Sequence, residues 1–185
     1  AIPQAGLEPD GKLVWTYRSA MVPAEMPKRC LVIGSGAIVI EFASFYNELG
    51  SDVTVVEAVD RILPAEDAEI SAFAHKSFEK QGLKIKTGAQ VKGLTKAKDS
   101  VTAEVSDGGK TEKIEVDRVI LAIGIVANSE GLGLEDLGVK LDRTHVVVDG
   151  FGRTGVKGLY AIGDLTGCPW LAHKASHEGG ICVEK

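Results

Sequence analysis

The stretch of sequence that decides the fold reads Val32-Ile33-Gly34-Ser35-Gly36-Ala37-Ile38-Val39-Ile40-Glu41. The apolar run that ends at Gly34 predicts a strand buried on both faces, as in a parallel sheet. The apolar spacing after Gly36 predicts a helix over residues 37–49. Glycines between such a strand and such a helix allow a tight turn and let the backbone approach a pyrophosphate, whose charge the free N–H groups of the helix start attract. The stretch therefore predicts a dinucleotide site.

An acidic residue beyond this turn supports the prediction and points to one dinucleotide. Glu57 closes a second predicted strand, residues 52–57, where a carboxylate accepts hydrogen bonds from the adenosine ribose hydroxyls. The same carboxylate repels a 2′-phosphate, and the nearest following basic residue is Arg61. NAD is therefore favoured over NADP, whose sites place an arginine close to that phosphate.

One residue departs from the expected pattern. Val39 stands where a third glycine normally permits close packing of the helix on the strand. Its branched side chain is expected to push the helix outward or to force local repacking, at a cost of about 1–3 kcal/mol. A merely structural glycine turn stays open as the alternative interpretation.

Outward from the turn, strands and helices alternate along the chain. A second helix is predicted over residues 65–81 and a short strand over residues 83–86, which together predict a parallel sheet with right-handed crossovers. Three short strands joined by Lys98-Asp99-Ser100 and Asp107-Gly108-Gly109-Lys110 then predict an antiparallel meander. They cover residues 91–98, 101–106 and 112–116, and residues 118–123 return to the buried type. The expected fold class is α/β, a Rossmann-like parallel sheet with an inserted antiparallel β-meander.

Apolar spacing also predicts which faces of the helices are buried. The predicted faces consist of Ile38, Phe42, Phe45 and Leu49 in the first helix and of Ile70, Phe73, Ser77 and Phe78 in the second. The proline-rich residues 1–27 predict an irregular arm with one helical turn over residues 17–21. Towards the other end, residues 159–162 predict a strand and residues 171–183 an amphipathic helix.

Composition excludes several classes of function. The net charge of −5 and the pI of about 5.4 disfavour a nucleic-acid partner, which requires clustered Lys and Arg. No apolar run is long enough for a membrane span, and no signal peptide is visible. The cysteines, Cys30, Cys168 and Cys182, form no CxxC and no metal spacing, so unreactive thiols in a reducing compartment are expected. No metal site is expected at His173 and His177 either, because a zinc protease would carry its glutamate between the two histidines.

Four segments together resemble the flavoprotein pyridine nucleotide–disulfide oxidoreductases, and within that family the members that oxidise dihydrolipoamide. They are residues 32–57, residues 122–125, Gly158-Leu159-Tyr160-Ala161-Ile162-Gly163-Asp164, and Leu171-Ala172-His173-Lys174-Ala175-Ser176-His177-Glu178-Gly179. The resemblance covers nearly the whole chain and implies an FAD/NAD(P)-binding domain. It also shows departures, since Ile125 stands where many members have arginine.

The resemblance implies two sets of cofactor-binding residues. The residues implied for NAD are Gly34, Ser35, Gly36, Ala37, Ile38, Glu41, Glu57, Ala58, Val91, Ala122, Ile123, Gly124 and Ile125. The residues implied for FAD are Asp164, which would contact the ribityl chain, with Leu171, Ala172 and His173. No catalytic residue is assigned, because the family's CxxxxC pair and its catalytic His–Glu pair are absent from this sequence.

The resemblance also implies an organisation and a reaction. Residues 1–27 are expected to be an arm left from an FAD domain, residues 28–127 the NAD-binding domain, and residues 128–185 a linker with a further FAD-domain segment. The implied parent enzyme is a homodimer of the bacterial cytoplasm or the mitochondrial matrix that binds lipoyl domains of 2-oxo-acid dehydrogenase complexes. It passes electrons from dihydrolipoamide through a disulfide and FAD to NAD+, whereas this chain alone is expected not to turn over.

Two other functions stay open. The parent could be another family member, an NADH oxidase or an NADH-dependent reductase, although the segment over residues 171–179 argues against it. The chain could also be a non-catalytic folded module whose NAD site is impaired, and Val39 is the residue that favours this alternative.

Overall fold

The computed structural model describes residues 6–184, so the first five residues of the predicted arm and Lys185 lie outside the described residues. The chain forms two compact units, of which the first ends at Gly124 and the second begins at Ile125. Within the described residues, no helix has the length and apolar character needed to cross a membrane.

The first unit contains strands and helices in the alternating order that the sequence predicts. In chain order they are β1 (Val14–Trp15), α1 (Tyr17–Met21), β2 (Arg29–Ile33), α2 (Ala37–Glu48), β3 (Asp52–Val56), α3 (Ala68–Lys80), β4 (Lys84–Lys86), β5 (Ala89–Lys96), β6 (Val101–Asp107), β7 (Lys110–Val116) and β8 (Arg118–Leu121). The predicted α/β fold class is confirmed: a five-stranded sheet in the order β1-β8-β2-β3-β4 pairs in parallel throughout, and β5-β6-β7 form an antiparallel meander.

The parallel sheet is buried on both faces, which explains why its strands carry continuous apolar runs. In β2, Leu31 and Ile33 pack on the side of the meander. Cys30 and Val32 alternate to the other side, where α1 and α2 lie. The sheet thus has two cores, one shared with the meander and one shared with the helices.

The predicted buried face of α2 is wrong. The residues that pack on the sheet are Val39, Ile40, Ala43 and Tyr46. Ile38, Phe45 and Leu49 are 39%, 48% and 55% exposed, and Phe42 packs only partly against the core. Two stripes with helical spacing run along this apolar helix, and periodicity alone does not tell which of them faces the sheet.

The predicted face of α3 is wrong in part for the same reason. Ile70 and Phe73 are 56% and 74% exposed. The contact with the core comes from buried Ser71 and from Phe78, with Ala74 between them. The helix begins later than predicted, at Ala68.

The arm is less irregular than its prolines suggest. The helical turn predicted over residues 17–21 is present as α1. In addition, Val14 and Trp15 form β1 and pair in parallel with Val119 and Ile120 of β8, so the arm supplies an edge strand of the main sheet. A strand of two residues leaves no periodic signal, which is why the sequence did not reveal it.

The second unit is mostly loop. It holds a short hairpin of β9 (Leu141–Asp142) and β10 (His145–Val146), a 3₁₀ turn over Gly163–Thr166, and α4 (Ala172–Glu184). The strand predicted over residues 159–162 is wrong, since only Tyr160 forms an isolated bridge there, with Arg153. The predicted final helix is present, but none of its described residues is buried within this unit.

Candidate functional site

The glycine turn after β2 has the geometry that a close backbone approach requires. Gly34 adopts φ of +105°, a conformation that residues with a Cβ rarely take, and its N–H donates to the Val56 carbonyl at 2.9 Å. A Cβ added at Gly36 would meet nothing within 4 Å, so the space beside this residue is open. The turn is therefore rigid at Gly34 and accessible at Gly36.

The start of α2 is free to receive an anion. Gly36 is its N-cap, no side chain caps the helix, and its first turn contains no acidic residue. By contrast, α3 is capped by Asp67, whose side chain accepts from the Glu69 N–H at 2.8 Å. Uncapped N–H groups and the positive end of the helix dipole favour a bound phosphate at α2.

Glu57 directly follows β3 and faces the same turn. One of its oxygens, Oε2, accepts a hydrogen bond from the Ser35 hydroxyl at 2.6 Å. The other, Oε1, accepts from the Val59 N–H at 2.9 Å. The carboxylate is thus held on both oxygens, next to the residues that begin α2.

These groups line a cavity of about 480 Å³. It lies where Gly34 and Glu57 follow β2 and β3 and where Ala122 follows β8, at the carboxyl ends of three adjacent parallel strands. From β2 the chain continues to β3 on one side, and it later places β8 on the other side of β2. Open α/β sheets bind ligands at such topological switch points. The lining includes the sequence-predicted residues Gly34, Ser35, Gly36, Glu57, Ala58, Val91, Ala122, Ile123 and Gly124.

Several lining residues were missed by sequence reasoning. They are Leu7, Ile33, Val56, Ala89, Gln90 and Lys92. Lys92 is the one cation among the described lining residues, and its Nζ donates to Gln90 Oε1 at 2.7 Å. The sequence did carry a signal for it, because a glycine inside a strand indicates a bulge. The structure has this bulge next to Gly93, where the register of β5 against β6 shifts between Val91 and Gly93. The bulge leaves Lys92 without a ladder partner.

Other predicted residues of the NAD set do not line this cavity. Ala37, Ile38 and Glu41 are exposed on the first two turns of α2 and are not among the described lining residues. Ile125 belongs to the second unit. Their predicted roles stay predictions.

The residues predicted for FAD all lie in the second unit, on the 3₁₀ turn and at the start of α4. Asp164, Leu171, Ala172 and His173 are exposed. A Cβ on Gly163 would lie 3.0 Å from that of Ala175, so glycine allows the turn to approach α4 closely.

Two side chains of α4 fix this turn. Glu178 accepts from the Gly163 N–H at 2.7 Å, and Lys174 donates to the carbonyls of Gly163 and Gly167 at 3.1 and 3.2 Å. Burial raises the pKa of Glu178, but the Gly163 N–H and the Lys174 ammonium outweigh it, so that the net shift is downward. Lys174 and Glu178 also form an ion pair with each other, so both members of that pair hold the turn that carries Asp164.

The described residues contain no group of three or more His, Cys, Asp and Glu side chains placed to hold a metal ion. Among the cysteines, Cys30 is buried, Cys168 is exposed and Cys182 is half-buried. Burial raises the pKa of the Cys30 thiol to about 12, with a further contribution from Asp117 and an opposing one from Arg118. Cys30 is therefore a small core residue.

Comparisons with known proteins all indicate the same family. The family model described as pyridine nucleotide-disulphide oxidoreductase matches residues 1–179. Proteins named dihydrolipoyl dehydrogenase from Rhizobium etli and Zymomonas mobilis are 58% and 53% identical over 97% and 95% of this chain. The chain spans 38% of the length of each of these relatives.

Solved structures agree with this result. LpdA from Mycobacterium tuberculosis is 34% identical with a TM-score of 0.86, over 98% of this chain and 39% of that one. The HOCl-induced flavoprotein disulfide reductase RclA from Escherichia coli is 27% identical with a TM-score of 0.84, over 96% of this chain and 40% of that one.

Proposed function

This chain belongs to the pyridine nucleotide-disulphide oxidoreductase family, and from that premise we propose that it is the NAD(H)-binding part of a dihydrolipoyl dehydrogenase. The observation that carries the proposal is the cavity in which the Gly34 turn, the uncapped start of α2 and the Glu57 carboxylate meet. These groups match the pyrophosphate and the ribose of one dinucleotide.

Each part of the cavity suits one part of NAD(H). The pyrophosphate would lie at Gly36 and the first N–H groups of α2, where no side chain competes for them. The adenosine ribose would donate its hydroxyls to Glu57, whose oxygens each keep a free lone pair. The apolar lining, including Val91 and Ile123, would cover the remaining adenosine surface.

The reaction of the whole enzyme is also a proposal, because this chain covers 38% of the relatives' length. Dihydrolipoamide, carried on a lipoyl domain of a 2-oxo-acid dehydrogenase complex, would lose two electrons and two protons as its dithiol becomes a disulfide. NAD+ would accept a hydride and one proton would be released. FAD relays the two electrons between the thiols and the nicotinamide when it is bound, and we assign its contacts to Asp164, Leu171, Ala172 and His173.

Within that reaction, this chain binds and orients NAD(H) and contributes no reacting thiol. The pyrophosphate turn and Glu57 would fix one end of the dinucleotide, and Ala37, Ile38, Glu41 and Ile125 are proposed to continue its path. The homodimeric state and the location in bacterial cytoplasm or mitochondrial matrix belong to the same proposal for the parent.

Titration with NADH while nicotinamide fluorescence is recorded tests the proposal. We expect saturable binding of NADH, a weaker response to NADPH, and no steady-state diaphorase turnover by the chain alone. Glu57→Gln should weaken the preference for NADH over NADPH, because the variant removes the charge that repels a 2′-phosphate. Absence of any NADH signal up to millimolar concentration would favour a non-catalytic module instead.

The similarity to RclA, a disulfide reductase, keeps a second activity in view for the parent. The higher identity to the dihydrolipoyl dehydrogenases favours the first proposal. Assaying the full-length parent with dihydrolipoamide and NAD+ separates them, since an enzyme specialised for another acceptor would show little rate.

A further inference from the structure

The Ser35 side chain makes a contact that a glycine turn does not require. Ser35 lies between the two glycines of the turn and is 1% exposed. Its carbonyl accepts the Leu63 N–H at 2.9 Å, and its hydroxyl donates to Glu57 Oε2 at 2.6 Å. One residue therefore joins the phosphate-facing turn to the segment that carries the carboxylate.

The Glu57 carboxylate is consequently fixed before any ligand arrives. Ser35 holds one oxygen and the Val59 N–H holds the other, so rotation of the carboxylate breaks at least one charge-assisted hydrogen bond. Ser35 Oγ has no comparable alternative partner in solvent, because the residue is buried. A carboxylate held in this way is pre-organised for a ligand that donates a hydrogen bond to it. It also cannot turn away from a ligand whose negative charge repels it.

We infer that Ser35 is a positioning residue that determines specificity: its hydroxyl fixes the Glu57 carboxylate so that the site accepts an adenosine ribose with a free 2′-hydroxyl and rejects a 2′-phosphate. The inference rests on the proposed NAD(H) site. It adds that selection against the phosphate depends on the rigidity of the carboxylate as well as on its charge.

The chain offers a matched control in Ser71. This serine is also 1% exposed, and its hydroxyl donates to the carbonyl of Leu63, the residue whose N–H contacts Ser35. Its hydroxyl therefore binds the backbone of the same segment and does not contact Glu57. Loss of this hydroxyl removes a buried hydrogen bond and leaves the carboxylate held.

The test measures the dissociation constants of NADH and NADPH for the chain and for Ser35→Ala, Ser35→Cys and Ser71→Ala, with folding checked by circular dichroism. We expect both Ser35 variants to lower the NADPH-to-NADH ratio of dissociation constants by about fivefold, on the scale of one ordinary hydrogen bond. Ser71→Ala should lower the melting temperature and leave that ratio unchanged. Ser35→Cys fills the position with a larger thiol that is only a weak donor, and it reports on the hydroxyl if the alanine variant does not fold.

A double-mutant cycle with Glu57→Ala separates positioning from a direct role. If Ser35 acts through the carboxylate, Ser35→Ala changes neither dissociation constant further in the Glu57→Ala background. An equal loss of NADH affinity in both backgrounds, or an unchanged ratio in the Ser35 variants, overturns the inference and leaves the NAD(H) site standing. Failure of the unmodified chain to bind NADH would instead overturn the proposed function itself.

Discussion

Val39 shows how a single departure from a motif is absorbed by packing. The residue is 1% exposed, and its Cγ2 lies 3.5 Å from the point that a Cβ on Gly34 would occupy, which is an ordinary van der Waals distance. It belongs to the helix-side core together with Ile40 and Ala43. The side chain thus fills the space beneath the turn, and the cost expected from the sequence stays a prediction.

We predict that Val39→Gly destabilises the protein by about 3 kcal/mol, because it empties a core position and places glycine inside a helix. Urea unfolding of the variant measures the change. The control is Ile38→Gly on the adjacent, 39% exposed position, where a loss of about 1 kcal/mol from helix propensity is expected. Equal losses in the two variants would show that Val39 contributes little packing.

Asp10 anchors the arm through a network of hydrogen bonds. Its Oδ1 accepts the N–H groups of Lys12, Leu13 and Val14 at 2.8–2.9 Å, and its Oδ2 lies 2.7 Å from Lys96 Nζ. Burial raises the pKa of Asp10, but Lys96 and the backbone N–H groups outweigh it and leave the pKa well below its usual range. A depressed pKa means that the carboxylate stabilises the fold above the unfolded-state pKa of about 3.9 and loses this contribution as the pH falls further.

Asp10→Asn should therefore destabilise the protein by about 1–2 kcal/mol at pH 7, and the difference from the unmodified chain should shrink progressively as the pH falls below about 4 towards the depressed pKa of Asp10. Thermal unfolding at a series of pH values measures it. Asp99→Asn, at an exposed position, is the control and should leave the melting temperature unchanged. A difference that shows no decrease as the pH is lowered from about 7 to about 2 would contradict the assignment to the ionised carboxylate.

At the scale of elements, the bulge in β5 gives the cavity its cation. Lys92 has no ladder partner there and lines the cavity together with Gln90. The proposed ligand carries a pyrophosphate, and Glu57 adds negative charge to the same cavity. A positive side chain at this point offsets both.

Lys92→Met is predicted to weaken NADH binding by about threefold to tenfold and to reduce the dependence of the affinity on salt, because it removes an attraction that ions screen. NADH titrations at low and high ionic strength measure both effects. Lys113→Met, at an exposed position of β7, serves as the control and should bind as the unmodified chain does. An identical loss in both variants would indicate a general effect of net charge.

The elements also show what the sequence could and could not reveal. The strands β2, β3 and β8 were predictable because burial on both faces requires continuous apolar runs, and the meander because Asp-Gly and Gly-Gly allow tight turns. The orientation of α2 was not predictable, since Ile38 and Val39 begin two stripes with equal spacing. The sequence singled out Gly34, Gly36 and Glu57, which line the cavity, whereas Lys92 was missed although Gly93 inside the strand indicates the bulge beside it.

At the scale of the whole molecule, Cys30 reports on the opening of the parallel sheet. It lies fully buried in β2, between β8 and β3, and its raised pKa of about 12 keeps the thiol protonated. A thiol reagent needs both access and a thiolate. We therefore expect Cys30 to react only when the first unit unfolds.

We predict that a thiol reagent at pH 8 labels exposed Cys168 and half-buried Cys182 rapidly, and Cys30 at a rate limited by unfolding. Mass spectrometry after timed quenching measures each site. Saturating NADH should slow the labelling of Cys30, because a ligand that binds only the native state opposes its unfolding. Rapid labelling of Cys30 without denaturant would contradict the packing described for β2.

The pairing of β1 with β8 has a consequence for the order in which the chain folds. Val14 is matched to Val119, so β1 finds its neighbour only after the sequence of β8, far along the chain, is available. Contacts so distant along the chain carry a large loop-closure entropy and slow the search for the native topology. During synthesis on a ribosome, β1 therefore stays unpaired until β8 has been made. The edge of β8 in turn stays exposed to non-native strand pairing until β1 docks.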